Sequence, residues 1–268
     1  MPRPIWTGSI SFGLVNVPVK LFSAVSQKDV RFHQLHATDN ARIRQQRVCS
    51  ADGEEVPFDQ IVKGYEVAPD RYVVVDPAEL EAFDPKATHT IDIEEFVDLD
   101  QIDPIYFDRP YYLAPGERAG KPYRLLLDAM ERAHKVAIAR FVMRTKQYLA
   151  AVRPMDGVLV CSTMLFADEV VAHKGLEGLD EADMEVSDRE LAMAEQLIAS
   201  LVSERFEPEK YRDTYRDLVR ELIERRAAGE LVSAPAAEPA PAAVVDLMAA
   251  LEASVKAAKE RRAAAAAG

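Results

Sequence analysis

Ile5-Trp6-Thr7-Gly8-Ser9-Ile10-Ser11-Phe12-Gly13-Leu14 sets Ile10, Phe12 and Leu14 on one parity and Ser9, Ser11 and Gly13 on the other. Val15, Val17, Val19 and Leu21 then take up the opposite parity. An apolar period of two marks a strand with one buried face, and a phase flip within it needs an interruption. The stretch therefore reads as two strands joined by a bend or bulge at Gly13. Pro18, which has no N–H to give a central ladder, is expected at an edge or bulge position.

Outward from this pair, strand-like runs recur at residues 72–75, 89–96, 136–144 and 157–161, separated by turn residues. Many short strands with few intervening helices predict a barrel or sandwich and not an alternating βα fold. A helix is expected over 122–134, with Leu125, Leu126, Ala129 and Ala133 as its apolar stripe. A second should start at Ser187, whose hydroxyl and Glu190 make a capping box, with Leu191, Ala194, Leu197, Ile198 and Leu201 on its apolar face. A third is expected from Pro208 to about Ala228, stopped by Gly229. The Pro- and Ala-rich stretch 233–242 reads as a semi-extended linker. Beyond it Val244, Leu247, Met248, Leu251 and Val255 recur at helical spacing over 244–259, and 261–268 should fray.

The formal net charge of −12 at first opposes nucleic acid, but the acid is concentrated. Residues 71–120 hold 4 basic and 12 acidic groups and residues 161–200 hold 2 and 10, whereas 121–160 hold 8 basic and 3 acidic. An acidic exterior is compatible with one basic concave face, because phosphate attraction is screened beyond about 8–10 Å. No apolar run approaches the roughly 20 residues that cross a bilayer. The opening residues read as a strand and not a secretory signal. Cys49 and Cys161 are far apart and form no C-x-x-C pair, as suits free thiols in a reducing, cytoplasmic setting.

Catalytic constellations are mostly missing. Gly116 to Pro122 is one residue short of a phosphate loop, with Pro122 where a hydroxyl would hold magnesium, so it reads as a surface turn. His33, His36 and Asp39 have ligand-like spacing, yet on a strand His33 and His36 point to opposite faces. Glu94-Glu95 and Asp98-x-Asp100 read as a solvated acidic face. No catalytic residue, metal or cofactor is expected; the rivals are a metalloenzyme using His33, His36 and Asp39, and a pure protein-interaction scaffold.

Two basic clusters carry the remaining chemistry. In Arg42-Ile43-Arg44-Gln45-Gln46-Arg47 an extended chain puts Arg42, Arg44 and Gln46 on one face. In Arg140-Phe141-Val142-Met143-Arg144-Thr145-Lys146 the cations share one parity, while Phe141 and Met143 take the core side. Guanidinium groups bind phosphate oxygens bidentately, which suits backbone contact with nucleic acid.

Residues 5–14 and Val17-Pro18-Val19-Lys20-Leu21 resemble the opening of bacterial Ku. So do Arg31-Phe32-His33-Gln34-Leu35-His36, Ile61-Val62-Lys63-Gly64-Tyr65-Glu66, Ile102-Asp103-Pro104-Ile105-Tyr106-Phe107, Tyr111-Tyr112-Leu113-Ala114-Pro115 and Phe206-Glu207-Pro208-Glu209-Lys210-Tyr211. The resemblance implies a mixed fold: a Ku-core-like β-barrel with an arch that closes a ring in a homodimer, and a C-terminal helical arm. It implies a core over residues 1–186 with the arch at about 36–65, an arm for dimerisation over 187–230, a linker over 231–242, and a C-terminal segment 243–268. It further implies sequence-independent binding of double-stranded DNA ends and recruitment of the multifunctional ligase D for non-homologous end joining at the nucleoid. On this basis the expected DNA contacts are Arg42, Arg44, Arg47, Lys63, Arg140, Arg144 and Lys146, with Lys20 and Arg31 secondary. Val244, Leu247, Met248, Leu251 and Val255 would meet the ligase. Two departures limit the transfer. Cys49-Ser50-Ala51-Asp52 stands where many relatives have C-x-x-C, and the chain ends in an alanine run where some carry a lysine-rich tail.

Overall fold

A computed structural model of the chain describes residues 3–76, 78–80, 89–179, 186–230 and 247–266. The chain divides into two compact units, one comprising Met1–Lys28 with Phe32–Ala172 and the other Asp29–Arg31 with His173–Gly268.

The first unit is built on a closed barrel. Its strands are β1 (Trp6–Phe12), β2 (Val15–Ser23), β5 (Thr90–Val97), β6 (Phe107–Pro115), β7 (Val136–Met143), β8 (Lys146–Met155) and β9 (Val158–Met164), in the spatial order β1-β2-β6-β9-β8-β7-β5. The parallel pairing of β1 with β5 closes the ring of strands; all other neighbours are antiparallel. A two-stranded ribbon of β3 (Lys63–Ala68) and β4 (Arg71–Val75) lies in the long insertion between β2 and β5.

The interruption at Gly13 is a tight hairpin. Phe12 faces Val15 across a two-residue loop, and Gly13 takes a φ of +58, the conformation glycine serves at the first position of such loops. Ile10, Val17, Val19 and Leu21 are fully buried, as the alternation predicts, while Leu14 is thrown out at the turn. Phe12 is only partly covered and packs edge-on against Phe96, ring centroids 5.4 Å apart. Pro18 corrects the edge-strand expectation, since β2 is flanked by both β1 and β6. It is tolerated because its opposite residue, Ser9, gives its N–H to the His89 carbonyl on the other side. The Pro18 carbonyl meanwhile accepts from the Gly116 N–H, where the β6 ladder ends.

Helix α1 (Gly120–Ala133) contributes Tyr123, Leu126, Leu127 and Met130 to the barrel core. The stripe expected from sequence is rotated from the real one, because Leu125 is exposed and Leu127 buried. Tyr123 locks the helix in place: its hydroxyl donates to the Leu113 carbonyl (2.6 Å) and accepts the Leu159 N–H (2.8 Å). β3, β6 and β8 were missed as strands by the alternation alone. β6 carries Pro110 and Pro115, and β8 runs through Ala150-Ala151 into Pro154, which blurs a period of two.

In the second unit α2 (Asp188–Leu201) begins at the expected capping box: Ser187 Oγ accepts the Glu190 N–H and Glu190 Oε2 accepts the Ser187 N–H. Pro208 opens only a short 3₁₀ turn, Pro208–Lys210. The helix proper, α3 (Thr214–Ala227), starts later, where the Asp213 carboxylate caps the Arg216 N–H at 2.9 Å. Gly229 ends it with a φ of +83. Helix α4 (Leu247–Ala266) continues to Ala266, so the fraying expected from residue 261 is corrected. It packs on α2, burying Val255 and Ala258, with Arg189 and Glu252 3.8 Å apart. Val244 and the linker 231–242 lie outside the described residues.

Candidate nucleic-acid interface

The insertion between β2 and β5 holds its first two turns with single bridges. Leu35 pairs with Arg42 and Val48 with Glu55, and each loop is closed by backbone bonds such as His36 N–H to Ala41 O (2.8 Å) and Val56 N–H to Arg47 O (2.8 Å). Arg42, Arg44 and Arg47 all stand exposed on this frame. The expected continuous ribbon with Arg42, Arg44 and Gln46 on one face gives way to two separate turns, and Gln46 Nε2 donates to Glu55 Oε2 at 3.4 Å. Arg42 Nη2 donates to His33 Nδ1 (3.0 Å), and the Arg47 guanidinium sits 5.5 Å from the Phe58 ring centroid. Among the described residues Arg44 and Lys63 form no ion pair. Lys63 opens β3 and is exposed.

The second cluster is arranged differently from its expected single strand. Arg140 lies on β7, Arg144 is in the two-residue turn with φ +62, and Lys146 returns on β8 opposite Met143. Phe141 and Met143 are buried, as expected. Two of the three cations are already partnered. Arg140 Nε is 3.1 Å from Glu94 Oε1, and Lys146 Nζ is 3.6 Å from Glu169 Oε1 while also 5.5 Å from the Tyr148 ring centroid. The Phe166 N–H and, after it, Lys146 hold the Glu169 carboxyl below the ordinary carboxylate range. Glu94 and Glu169 were not read from sequence as counterions. Glu94 occupies the register shift between Ile93 and Glu95, so its side chain escapes the plain alternation of β5.

The secondary candidates separate. Lys20 is half-buried on β2, between Thr7 and Ala114, and Arg31 is exposed in the second unit. His36 turns to Asp39 (3.0 Å) and Thr38 (3.1 Å) while His33 faces Arg42, so the three sequence-suggested ligands do not converge. Among the described residues no group of three or more His, Cys, Asp or Glu is placed to hold a metal ion. Of the ligase-facing set, Val255 is buried, Met248 and Leu251 are half-buried, and Leu247 is the first residue of α4.

A closed barrel of seven strands, bearing a long insertion lined with exposed cations, defines the class. The family described as the Ku70/Ku80 beta-barrel domain matches residues 11–193, and the chain belongs to the Ku family. It is 57% identical over 262 residues to a non-homologous end joining protein Ku of Anaeromyxobacter sp. (strain K), covering 97% of this chain and 88% of that one. A Ku 1 protein of Saccharopolyspora erythraea is 44% identical, covering 98% and 81%, and a Ku of Symbiobacterium thermophilum is 46% identical, covering 98% and 65%. The SPOC domain of human PHD-finger protein 3 covers 60% of this chain and 95% of its own at a TM-score of 0.29 and 12% identity, a likeness too slight to build on.

Proposed function

We propose that two copies of this chain close a ring around double-stranded DNA ends, bind them through phosphates regardless of sequence, and serve non-homologous end joining without catalysis of their own. Family membership supports the repair role, since the relatives matched are named for it. The observation that carries the DNA-binding part is the insertion itself. Arg42, Arg44, Arg47 and Lys63 are exposed together on it, and none is in an ion pair among the described residues. A factor that must accept any end gains nothing from reading bases and should contact the backbone, so its affinity should fall steeply with salt.

In this scheme the segment from about 36 to 65 is the arch, the helices of 187–230 form the arm that meets the second copy, and the linker 231–242 leads to a ligase-D-recruiting C-terminal segment, 243–268, that contains α4. Exposed Leu191, Ile198, Leu201, Phe206, Tyr215 and Leu218 support the arm as a protein-binding surface. The ligase would meet the face of α4 that carries Leu251 and Val255, in competition with α2. No described helix is long and apolar enough to cross a membrane, and a site of action at the cytoplasmic nucleoid follows from the substrate. The test compares a linear duplex with a closed circle of the same sequence. A ring loads only at an end, so the linear form should bind far more tightly; equal affinity overturns the reading.

A further inference from the structure

The ribbon β3–β4 is exposed along its whole length save Val75, which is half-buried, and its two faces differ in chemistry. Directly opposed residues of an antiparallel pair project to the same side. Lys63 opposite Val75 and Tyr65 opposite Val73 therefore share one face, and Gly64 opposite Val74 and Glu66 opposite Tyr72 share the other. On the Glu66 face Tyr72 is 58% exposed, but it lies over Gly64 and directly opposite the Glu66 carboxylate and not beside a cation. On the Lys63 face Tyr65 is 70% exposed, two residues from the cation. Phe58, five residues upstream of Lys63, is 77% exposed and has the Arg47 guanidinium 5.5 Å from its ring centroid, a second cation beside an exposed aromatic on the same insertion.

Phosphate contact with an intact duplex needs the cations alone, because stacked bases offer no ring face. A bare aromatic ring beside a cation suits an unpaired base whose phosphate the cation holds. We propose that the Lys63–Tyr65 face of this ribbon binds the single-stranded overhang of a broken end, with Tyr65 stacked on an unpaired base and Lys63 on the adjoining phosphate. The Glu66 carboxylate, which accepts the Asp70 N–H, makes the opposite face the less favourable one for a phosphate. The proposal rests on the end-binding reading above and adds to it a preference for ends that carry unpaired nucleotides.

The experiment uses the full chain with duplexes of one length, either blunt or carrying a short overhang with 2-aminopurine at its first unpaired position. The wild-type protein, Tyr65→Phe and Tyr65→Ala are compared by affinity, by 2-aminopurine fluorescence and by light-scattering mass. Stacking predicts quenching by the wild type and by Tyr65→Phe, and its loss in Tyr65→Ala. It also predicts weaker overhang binding by Tyr65→Ala, about five-fold or more, with blunt-end affinity nearly unchanged. Equal weakening on both ends, no weakening on either, or undiminished quenching by Tyr65→Ala overturns the proposal. So does dissociation of Tyr65→Ala into single chains, which would place the ring against a second copy of the chain. Failure of the wild type to bind blunt ends would instead strike the end-binding reading and leave the overhang comparison intact as a separate result.

Discussion

The Arg140 guanidinium on β7 stands 3.1 Å from the Glu94 carboxylate on β5, so this cation of the barrel wall is partnered before any phosphate reaches it. Both side chains are about half exposed, and a pair of this kind contributes little to stability, roughly 0.2–1 kcal/mol. Its effect falls on DNA, because Arg140 must leave Glu94 or share itself. Glu94→Gln should tighten end binding by up to about five-fold and steepen its salt dependence by about one phosphate equivalent for each copy in the ring. In an Arg140→Ala background the same change should do almost nothing. A salt titration of the four variants on one duplex checks this, and an equal effect of Glu94→Gln in both backgrounds would show that Arg140 does not meet DNA.

Arg42 and Arg44 sit on the insertion with no acidic partner among the described residues, so their removal breaks no ion pair of the folded chain. Because each of the two copies in the ring loses two cations, the double change Arg42→Ala with Arg44→Ala should weaken binding about equally for every end sequence and flatten the slope of log affinity against log salt by about three to four. Because Arg42 also bonds His33 at 3.0 Å, circular dichroism of the variant should accompany the titration. A loss selective for one sequence would mean base contact, contrary to the proposed mode.

Cys161 on β9 is fully buried, and burial pushes its thiol from an ordinary 9.0 up to about 12, while Cys49 is half-exposed. A thiol reagent should therefore titrate one cysteine in the folded protein and the second only on unfolding. The shift also fixes a pH dependence. Below about pH 9 the thiol is protonated in both states and contributes nothing. Between about 9 and 12 only the unfolded chain loses the proton, so stability falls as pH rises through that window. Tyr111 and Tyr123, both raised by burial, act in the same direction. Cys161→Ala should lose less stability than wild type between neutral and alkaline pH in denaturant titrations, though its stability at neutral pH will be lower by the cavity it leaves.

How far the residues spoke for themselves depends on what each had to satisfy. β1 and β2 were legible because one face is buried and the other is not, so Ile10, Val17, Val19 and Leu21 had to alternate. The caps at Ser187 and the stop at Gly229 were legible because a helix end leaves backbone groups that a short side chain or a positive φ must serve. β6 was not, since its prolines speak against a strand; in the barrel Pro110 lies just outside the ladder with β2 and beside the register shift with β9, and Pro115 ends the β2 ladder. The cation clusters were visible as charge, but their partners were not. Glu94 and Glu169 are remote in sequence from Arg140 and Lys146; the pairing of β5 with β7 and the bulge in β5 bring Glu94 to Arg140, and the β8–β9 pairing returns Glu169 to Lys146. Of the exposed ribbon, β4 was legible from the run at 72–75, whereas β3 was not, because it is exposed on both faces and has no burial to impose a period.

Val255 decides whether the C-terminal helix recruits a ligase through its apolar face. It is 6% exposed where α4 packs on α2, and Val255→Asp would set a charge in that contact, while the neighbouring Lys256 is exposed to solvent. A buried unpaired charge is costly enough that the helix should leave α2 sooner than keep it. If the ligase uses the same face, the variant should bind ends with unchanged affinity, since the barrel and its insertion are untouched, yet lose ligase-dependent joining of linear duplexes. Val255→Ile, which keeps the apolar surface, should retain most of it. Unchanged joining by Val255→Asp would remove the helix from recruitment and leave it as part of the arm. Loss of end binding in parallel with joining would show that the α2–α4 contact supports the dimer.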